Sequence, residues 1–236
     1  MENIVEIQNM SKTFHLYTVG KTIQASENIS LNVGYHEFAG IVGKSGSGKS
    51  TILKCLYRTY LPQQGALYYD SEKFGKIDMR TAGEREIIYL RKYEIGYVSQ
   101  FLTIMPRVTA REVVKTALSD MGLEKDAADA RTEEMLSYFE LDRELWDSYP
   151  LNFSGGEKLR LNLARAMAKE PRLLLLDEPT ASLDNSSKLR VRDMIRKLKE
   201  HGTSMLGIFH DIEFMDTVCD KVYTIENGVL KYEQCS

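Results

Sequence analysis

Short apolar runs that alternate with longer helical patterns predict an α/β protein with a largely parallel sheet. Three observations carry this. Phe38-Ala39-Gly40-Ile41-Val42 and Leu173-Leu174-Leu175-Leu176 are apolar throughout, as strands buried on both faces are. Each is followed by a segment with helical spacing. From about 101 to 165 the pattern becomes wholly helical, which predicts a core of residues 1–100 and 166–236 and a helical insertion of 101–165.

The elements follow in order. Residues 4–9 and 27–33 read as strands with partial alternation and polar surroundings, an antiparallel β subdomain at the start. Residues 38–42 form a buried strand that runs into a Gly/Ser-rich loop. A helix is predicted over about 49–58, ended by Leu61-Pro62-Gln63-Gln64-Gly65. Residues 66–70 are a strand, 84–92 a charged helix and 95–98 a strand. In the insertion, Val113, Val114, Ala117 and Leu118 repeat at helical spacing over 110–119, as do Ala128, Met135, Leu136 and Phe139 over 124–139. After the leucine strand, 186–200 reads as an amphipathic helix with Leu189, Met194, Ile195 and Leu198 inward. Met205 to Phe209 is a further strand, and 221–226 with 229–233 a hairpin turned by Asn227-Gly228.

Composition bounds the function. The 236 residues suit one large domain or two small ones. With 31 Lys+Arg against 34 Asp+Glu the net charge is −3, which is not the signature of a nucleic-acid binder. No apolar run approaches the roughly 18 residues of a spanning helix, so no direct membrane insertion is expected. The first residues carry neither a basic nor an apolar leader pattern. Cys55, Cys219 and Cys235 lack metal-ligand spacing and read as reduced thiols of a cytoplasmic protein.

Three motifs carry chemistry. Gly43-Lys44-Ser45-Gly46-Ser47-Gly48-Lys49-Ser50-Thr51 fits G-x-x-x-x-G-K-[ST] between a predicted strand and a predicted helix. Glycines let successive backbone N–H groups curl around phosphate oxygens, and the helix N-terminus adds partial positive charge. Lys49 would reach the terminal phosphates of ATP, and the Ser50 hydroxyl would ligate Mg²⁺. Next, Asp177-Glu178-Pro179 follows the leucine strand, and two acids there are costly unless they meet a cation or water. Asp177 would hold the Mg²⁺ shell and Glu178 would act as general base on water. Third, in Phe153-Ser154-Gly155-Gly156-Glu157, Ser154 is a natural N-cap and the glycines expose amides at a helix start. Alone this is an ordinary helix cap. Beside the first loop, a second donor set suggests two ATP sites shared between two chains.

Single residues complete the set. Gln100 follows a strand and would contact Mg²⁺ or the water. His210 follows another and would bond the γ-phosphate. Asp184, in Ala181-Ser182-Leu183-Asp184, lies close enough to the acid pair to reach across a dimer interface. Phe14 precedes the phosphate loop by enough chain to stack on adenine; Tyr17 competes for that role, and core packing is open for either. His15, His36 and His201 read as structural.

Taken in order, the phosphate loop, Gln100, Ser154-Gly155-Gly156-Glu157, the Leu-Asp-Glu-Pro run, Ala181-Ser182-Leu183-Asp184 and His210 resemble the ATP-binding-cassette (ABC) ATPase family over essentially the whole chain. The resemblance implies a P-loop ABC ATPase fold with a RecA-like core. It implies a head-to-tail dimer, homomeric or with a second ABC subunit, and ATP sandwiched between 43–51 of one subunit and 154–157 of the other. Glu178 would activate water and His210 would sense the γ-phosphate. Phe153 and Glu157 stand where the family more often has Leu and Gln, and Lys158-Leu159 replaces a polar pair. A narrower set is similar to the ATP-binding protein of the phosphonate carbon–phosphorus lyase system: Leu56-Tyr57, Tyr60-Leu61-Pro62, Tyr97 through Leu102, Pro106-Arg107, Glu112-Val113-Val114 and Gly207 through Asp211. That implies soluble partners, the carbon–phosphorus lyase core complex subunits. The alternative is the nucleotide-binding subunit of a lipoprotein- or macrolide-exporter-like ABC transporter.

Overall fold

The computed structural model describes residues 2–16, 20–99, 107–180, 183–209 and 212–235, with side chains up to Lys231. The chain opens with a long hairpin, β1 (Asn3–Leu16) and β2 (Lys21–Gly34). β3 (Phe38–Val42) leads through the Gly/Ser loop into α1 (Lys49–Leu56). β4 (Gln64–Ser71) and β5 (Gly75–Asp78) complete an antiparallel sheet of order β2-β1-β4-β5. The first two strands run well past the expected 4–9 and 27–33. Thr13 pairs with Gln24, Phe14 with Ile23 and His15 with Thr22, so the ladder continues through mixed polar and apolar pairs where the apolar alternation has stopped. β5 has no apolar pattern of its own and forms because β4 offers it a ladder.

The second sheet holds the core. After α2 (Glu84–Tyr93) come β6 (Ile95–Val98), then α3 (Ala110–Asp120), α4 (Lys125–Tyr138) and α5 (Gly155–Met167). β7 (Leu173–Asp177), α6 (Asn185–Glu200), β8 (Ser204–Ile208), the short α7 (Ile212–Asp216), β9 (Lys221–Glu226) and β10 (Val229–Cys235) follow. Sheet order is β10-β9-β3-β8-β7-β6, parallel except for β10.

The four leucines of β7 show why both faces must be apolar. Side chains alternate across a strand. Leu174 and Leu176 join Phe38, Met205 and residues of α3, α4, α5 and α6 on one face, while Leu173 and Leu175 join Ile41, Leu206, α1 and the antiparallel sheet on the other. At roughly 1.5–3 kcal/mol per fully buried leucine, this strand anchors the sheet. On α6 the buried stripe is Ser187, Val191, Met194, Ile195 and Leu198. Leu189, expected inward, is 52% exposed. It lies two positions from Val191, about 200° around the helix, so it cannot share that stripe.

In a parallel sheet all C-terminal strand ends point one way, and ligands gather there. Ile41, Ile208 and Asp177 occupy one register row across β3, β8 and β7. The Gly/Ser loop, the acid pair and Phe209 therefore lie at one end of the sheet.

Candidate active site

The loop at 43–48 is shaped by what surrounds it. Gly43 (φ 151°) and Gly48 (φ 96°) both lie where side chains are strained. A Cβ on Gly43 would sit inside the van der Waals shell of the Ile225 carbonyl oxygen, and one on Gly48 inside that of Ala25. The Gly228 amide donates to Ser47 O at 3.1 Å, so the turn between β9 and β10 braces the loop from behind. Ser45 and Gly46 form the exposed outer bend. Ser47 Oγ is buried and has no hydrogen-bond partner among the described residues. An unpaired buried hydroxyl costs about 1–3 kcal/mol, which a bound phosphate oxygen would relieve.

Gly48 caps α1 without a side chain, so nothing covers the first amides of the helix, which lack intrahelical acceptors. The Thr51 amide turns back to Gly48 O at 3.1 Å. Lys49 is 4% exposed and donates from Nζ to Gly43 O (2.8 Å) and Lys44 O (3.0 Å), folded across the loop it rises from. Burial pushes its ammonium below the ordinary lysine range, while the negative charges of Glu178 and Asp177 push it back up.

Asp177 ends β7 and is 7% exposed. Both its oxygens are held: Ser50 Oγ donates to Oδ1 at 2.8 Å, and the Tyr97 hydroxyl donates to Oδ2 at 2.7 Å. Glu178 follows at φ 54°, a left-handed conformation that costs a non-glycine residue about 1–3 kcal/mol and persists where the surroundings impose it. Its amide donates to Ile208 O at 3.2 Å. Among the described residues no group of three or more His, Cys, Asp or Glu could cage a metal alone. Mg²⁺ does not require one: it is commonly held through one or two protein oxygens together with substrate phosphates. A hydroxyl bonded to a carboxylate, beside a lysine and an uncapped helix tip, fits Mg²⁺ carried in with a polyphosphate.

The Ser154 helix tip is finished differently. The Glu157 amide donates to Ser154 Oγ at 3.3 Å, and the Ser154 amide donates to Glu157 Oε2 at 2.7 Å, closing a capping box. Gly155 is exposed, and Gly156 lies against Ser187 of α6. Asp184 caps α6 through the Ser187 amide (2.7 Å), and that bond, with those from Ser186 and Ser187, holds its carboxyl below the usual range. No hydrogen bond among the described residues links 154–157 to 43–51. Phe14 is half-buried, edge-on to Tyr60 at 5.1 Å and capped by Lys12 Nζ at 4.9 Å. Gln100, His210 and Tyr17 lie outside the described residues.

The structure adds Tyr97, which the motifs did not single out as a site residue, and the bracing carbonyl of Ala25 with the Asn227-Gly228 turn. The cysteines expected as thiols are free and buried at 55 and 219, and burial pushes the Cys55 thiol up to about 11.

Residues 26–181 match the family model described as ABC transporter. The methionine import ATP-binding protein MetN of Escherichia coli (strain K12) is 33% identical over 228 residues, 96% of this chain and 64% of that protein. MetN 1 of Listeria monocytogenes serotype 4b is 32% identical over the same length, with 96% and 65% covered. The chain thus spans just under two thirds of the length of these curated relatives. Among solved structures, the ATP-binding cassette MJ0796, in a dimeric post-hydrolysis state bound to ADP and Pi, matches with a TM-score of 0.89 at 29% identity, covering 98% of both chains. A second dimeric structure of that cassette matches at 0.89 and 28%. A family match over residues 26–181, a structural match over 98% of the chain and a Gly-rich loop beside a Ser50–Asp177 pair agree, and the chain belongs to the ABC transporter family as an ATP-binding cassette.

Proposed function

We propose that the chain works as one half of an ATP-closed dimer, with the triphosphate gripped by residues 43–51 of one subunit and by the 154–157 helix tip of a second cassette. The carrying observation is that one chain assembles Lys49, Ser50 and Asp177 around an uncapped helix, while no hydrogen bond among the described residues ties its Ser154 tip to them. Lys49 and the amides of α1 bind the terminal phosphates; Ser50 and Asp177, with Gln100, hold Mg²⁺, which neutralises phosphate charge when bound. Glu178 orients and deprotonates the attacking water, and His210 bonds the γ-phosphate. Phe14 stacks on the adenine, and Asp184 reaches the second subunit. The MJ0796 cassette, solved as a dimer, supports the pairing.

The test is Glu178→Gln. Turnover should fall about 10²–10⁴-fold, ATP affinity should stay within a few fold, and light scattering with ATP should show twice the 27.0 kDa of one chain. Undiminished turnover would remove Glu178 from the role.

Two readings of the partner have separate support. The methionine import relatives favour a transporter subunit, which would co-purify with a polytopic membrane protein. The residues at 56–62, 97–102, 106–107, 112–114 and 207–211 favour a subunit of the carbon–phosphorus lyase assembly, which would bring soluble enzymes from detergent-free extract. Affinity purification from cells grown on a phosphonate as sole phosphorus source, with and without detergent, separates them.

A further inference from the structure

Tyr97 is a tyrosine on the central sheet whose hydroxyl leaves the apolar layer to meet a carboxylate. β6 pairs with β7 in parallel, with Tyr97 opposite Leu175. That register lets the hydroxyl reach the end of the neighbouring strand, where it donates to Asp177 Oδ2 at 2.7 Å. The ring is held on its far side. Tyr57, just past the end of α1, lies against it with centroids 4.8 Å apart. Tyr57 is in turn covered by Arg91, whose guanidinium sits 4.7 Å over the ring while Nε donates to Tyr57 O at 2.8 Å.

We propose that Tyr97 is a positioning residue for the divalent cation: its hydroxyl fixes the Asp177 carboxylate in the orientation from which that carboxylate serves Mg²⁺. This rests on the reading of Ser50 and Asp177 given above. Of the two tethers on Asp177, Ser50 offers its oxygen to the metal under that reading. Tyr97 has no ligand role under that reading, so its bond is the one that would orient the carboxylate independently of the ligand. A carboxylate fixed by such an outer partner need not lose rotational freedom when the cation arrives, which is why outer partners affect metal affinity. The sequence hides this role, because tyrosine in a buried strand reads as packing.

The experiment uses the full chain, ADP so that nothing is hydrolysed, and Mn²⁺ as a paramagnetic substitute for Mg²⁺, read by electron paramagnetic resonance. Tyr97→Phe keeps the ring against Tyr57 and removes only the hydroxyl. It should weaken Mn²⁺ binding to the protein–ADP complex about tenfold, while ADP binding in EDTA stays within twofold of the parent. Asp177→Asn is measured alongside and should weaken Mn²⁺ more. If Tyr97→Phe leaves Mn²⁺ affinity within twofold while Asp177→Asn lowers it, Tyr97 has no positioning role and the metal assignment stands. If neither variant changes Mn²⁺ affinity, the assignment of Asp177 falls and the proposal with it. If Tyr97→Phe lowers ADP binding in EDTA as much as Mn²⁺ binding, the hydroxyl only supports the fold, and the proposal is overturned.

Discussion

Two helices of this chain begin at a glycine-bearing turn, and their tips are finished in opposite ways. At α1 the cap is Gly48, left-handed, with no side chain, held in place by the backbone of Ala25 and the turn at 227–228. At α5 the cap is Ser154, extended, and the tip closes on itself through the reciprocal bonds of Ser154 and Glu157. Both leave their first two helical amides for an acceptor: Lys49 and Ser50 in one, Gly155 and Gly156 in the other. The difference lies in the support. A tip shaped by neighbouring strands is rigid but intolerant of any added atom. A tip shaped by its own side chains tolerates added bulk and is sensitive to loss of the cap. The first suits a site that binds phosphate alone, and the second a surface that must be stable before a partner arrives.

The largest expected effect is at the first tip. Gly48→Ala places a methyl group into the Ala25 carbonyl at a φ of 96°. The cost should exceed the roughly 1–3 kcal/mol of a left-handed non-glycine residue alone. Nucleotide binding should be lost and the thermal midpoint should drop. ATP binding near the parent level in this variant would mean that the loop does not need its braced shape.

Next comes the division of labour between the tips. Lys49→Ala and Ser154→Arg should each be nearly inactive alone. Mixed, they should regain activity, because a mixed dimer holds one site whose phosphate loop and serine tip are both intact. Equal mixing makes half of the dimers mixed, so recovery should approach a quarter of the parent turnover. No recovery, with mixed dimers shown by mass, would mean that each chain completes its own site.

Smaller effects follow within α5. Ser154→Ala removes the cap and should cost about 1 kcal/mol, a shift of about 2–4 °C in thermal midpoint for a domain of this size. Gly156→Ala should change stability by less than about 1 kcal/mol, since alanine favours the helix and the new methyl meets side-chain atoms rather than backbone: Ser187 Oγ at 3.1 Å, Ser187 Cβ at 3.5 Å and Arg160 Nη1 at 3.9 Å. If Gly156→Ala proved as damaging to the isolated chain as Gly48→Ala, the contrast between the tips would be wrong.

Much of this site was legible in the sequence because its chemistry is local. A Gly-rich loop between a strand and a helix specifies both the turn and the ligand class, and acids after a leucine strand stand out because burial penalises them. What was hidden depends on neighbours far apart in sequence. Tyr97 meets Asp177 across 80 positions, only because β6 lies beside β7. The need for glycine at 43 and 48 comes from Ile225 and Ala25, which no motif contains. The same limit explains Leu189: a helical pattern shows that a stripe exists, and the packing of α6 against the sheet decides which leucine is on it. The hairpin of β1 and β2 outran its apolar pattern because ladder bonds and cross-strand side-chain bonds such as that of Thr13 to Gln24 extend it.

The smallest effect concerns α6, whose cap lies beside the α5 tip through the contact of Ser187 with Gly156. Asp184 is held below the usual carboxyl range by the Ser187 amide, then by the hydroxyls of Ser186 and Ser187. A carboxyl whose folded pKa is depressed contributes stability that is complete above its unfolded value of about 3.9, and this contribution is lost as pH falls through the folded value. The midpoint difference between the parent and Asp184→Ala should therefore stay constant from about pH 7 to pH 5 and shrink below about pH 4. Asp184→Asn caps without a charge, so its difference from Asp184→Ala should not change over the same range. A parent–alanine difference that grew on acidification would show that the carboxylate is strained at this tip rather than stabilised by it, and would leave Gly156 packed against a helix whose first turn is held by something other than its cap.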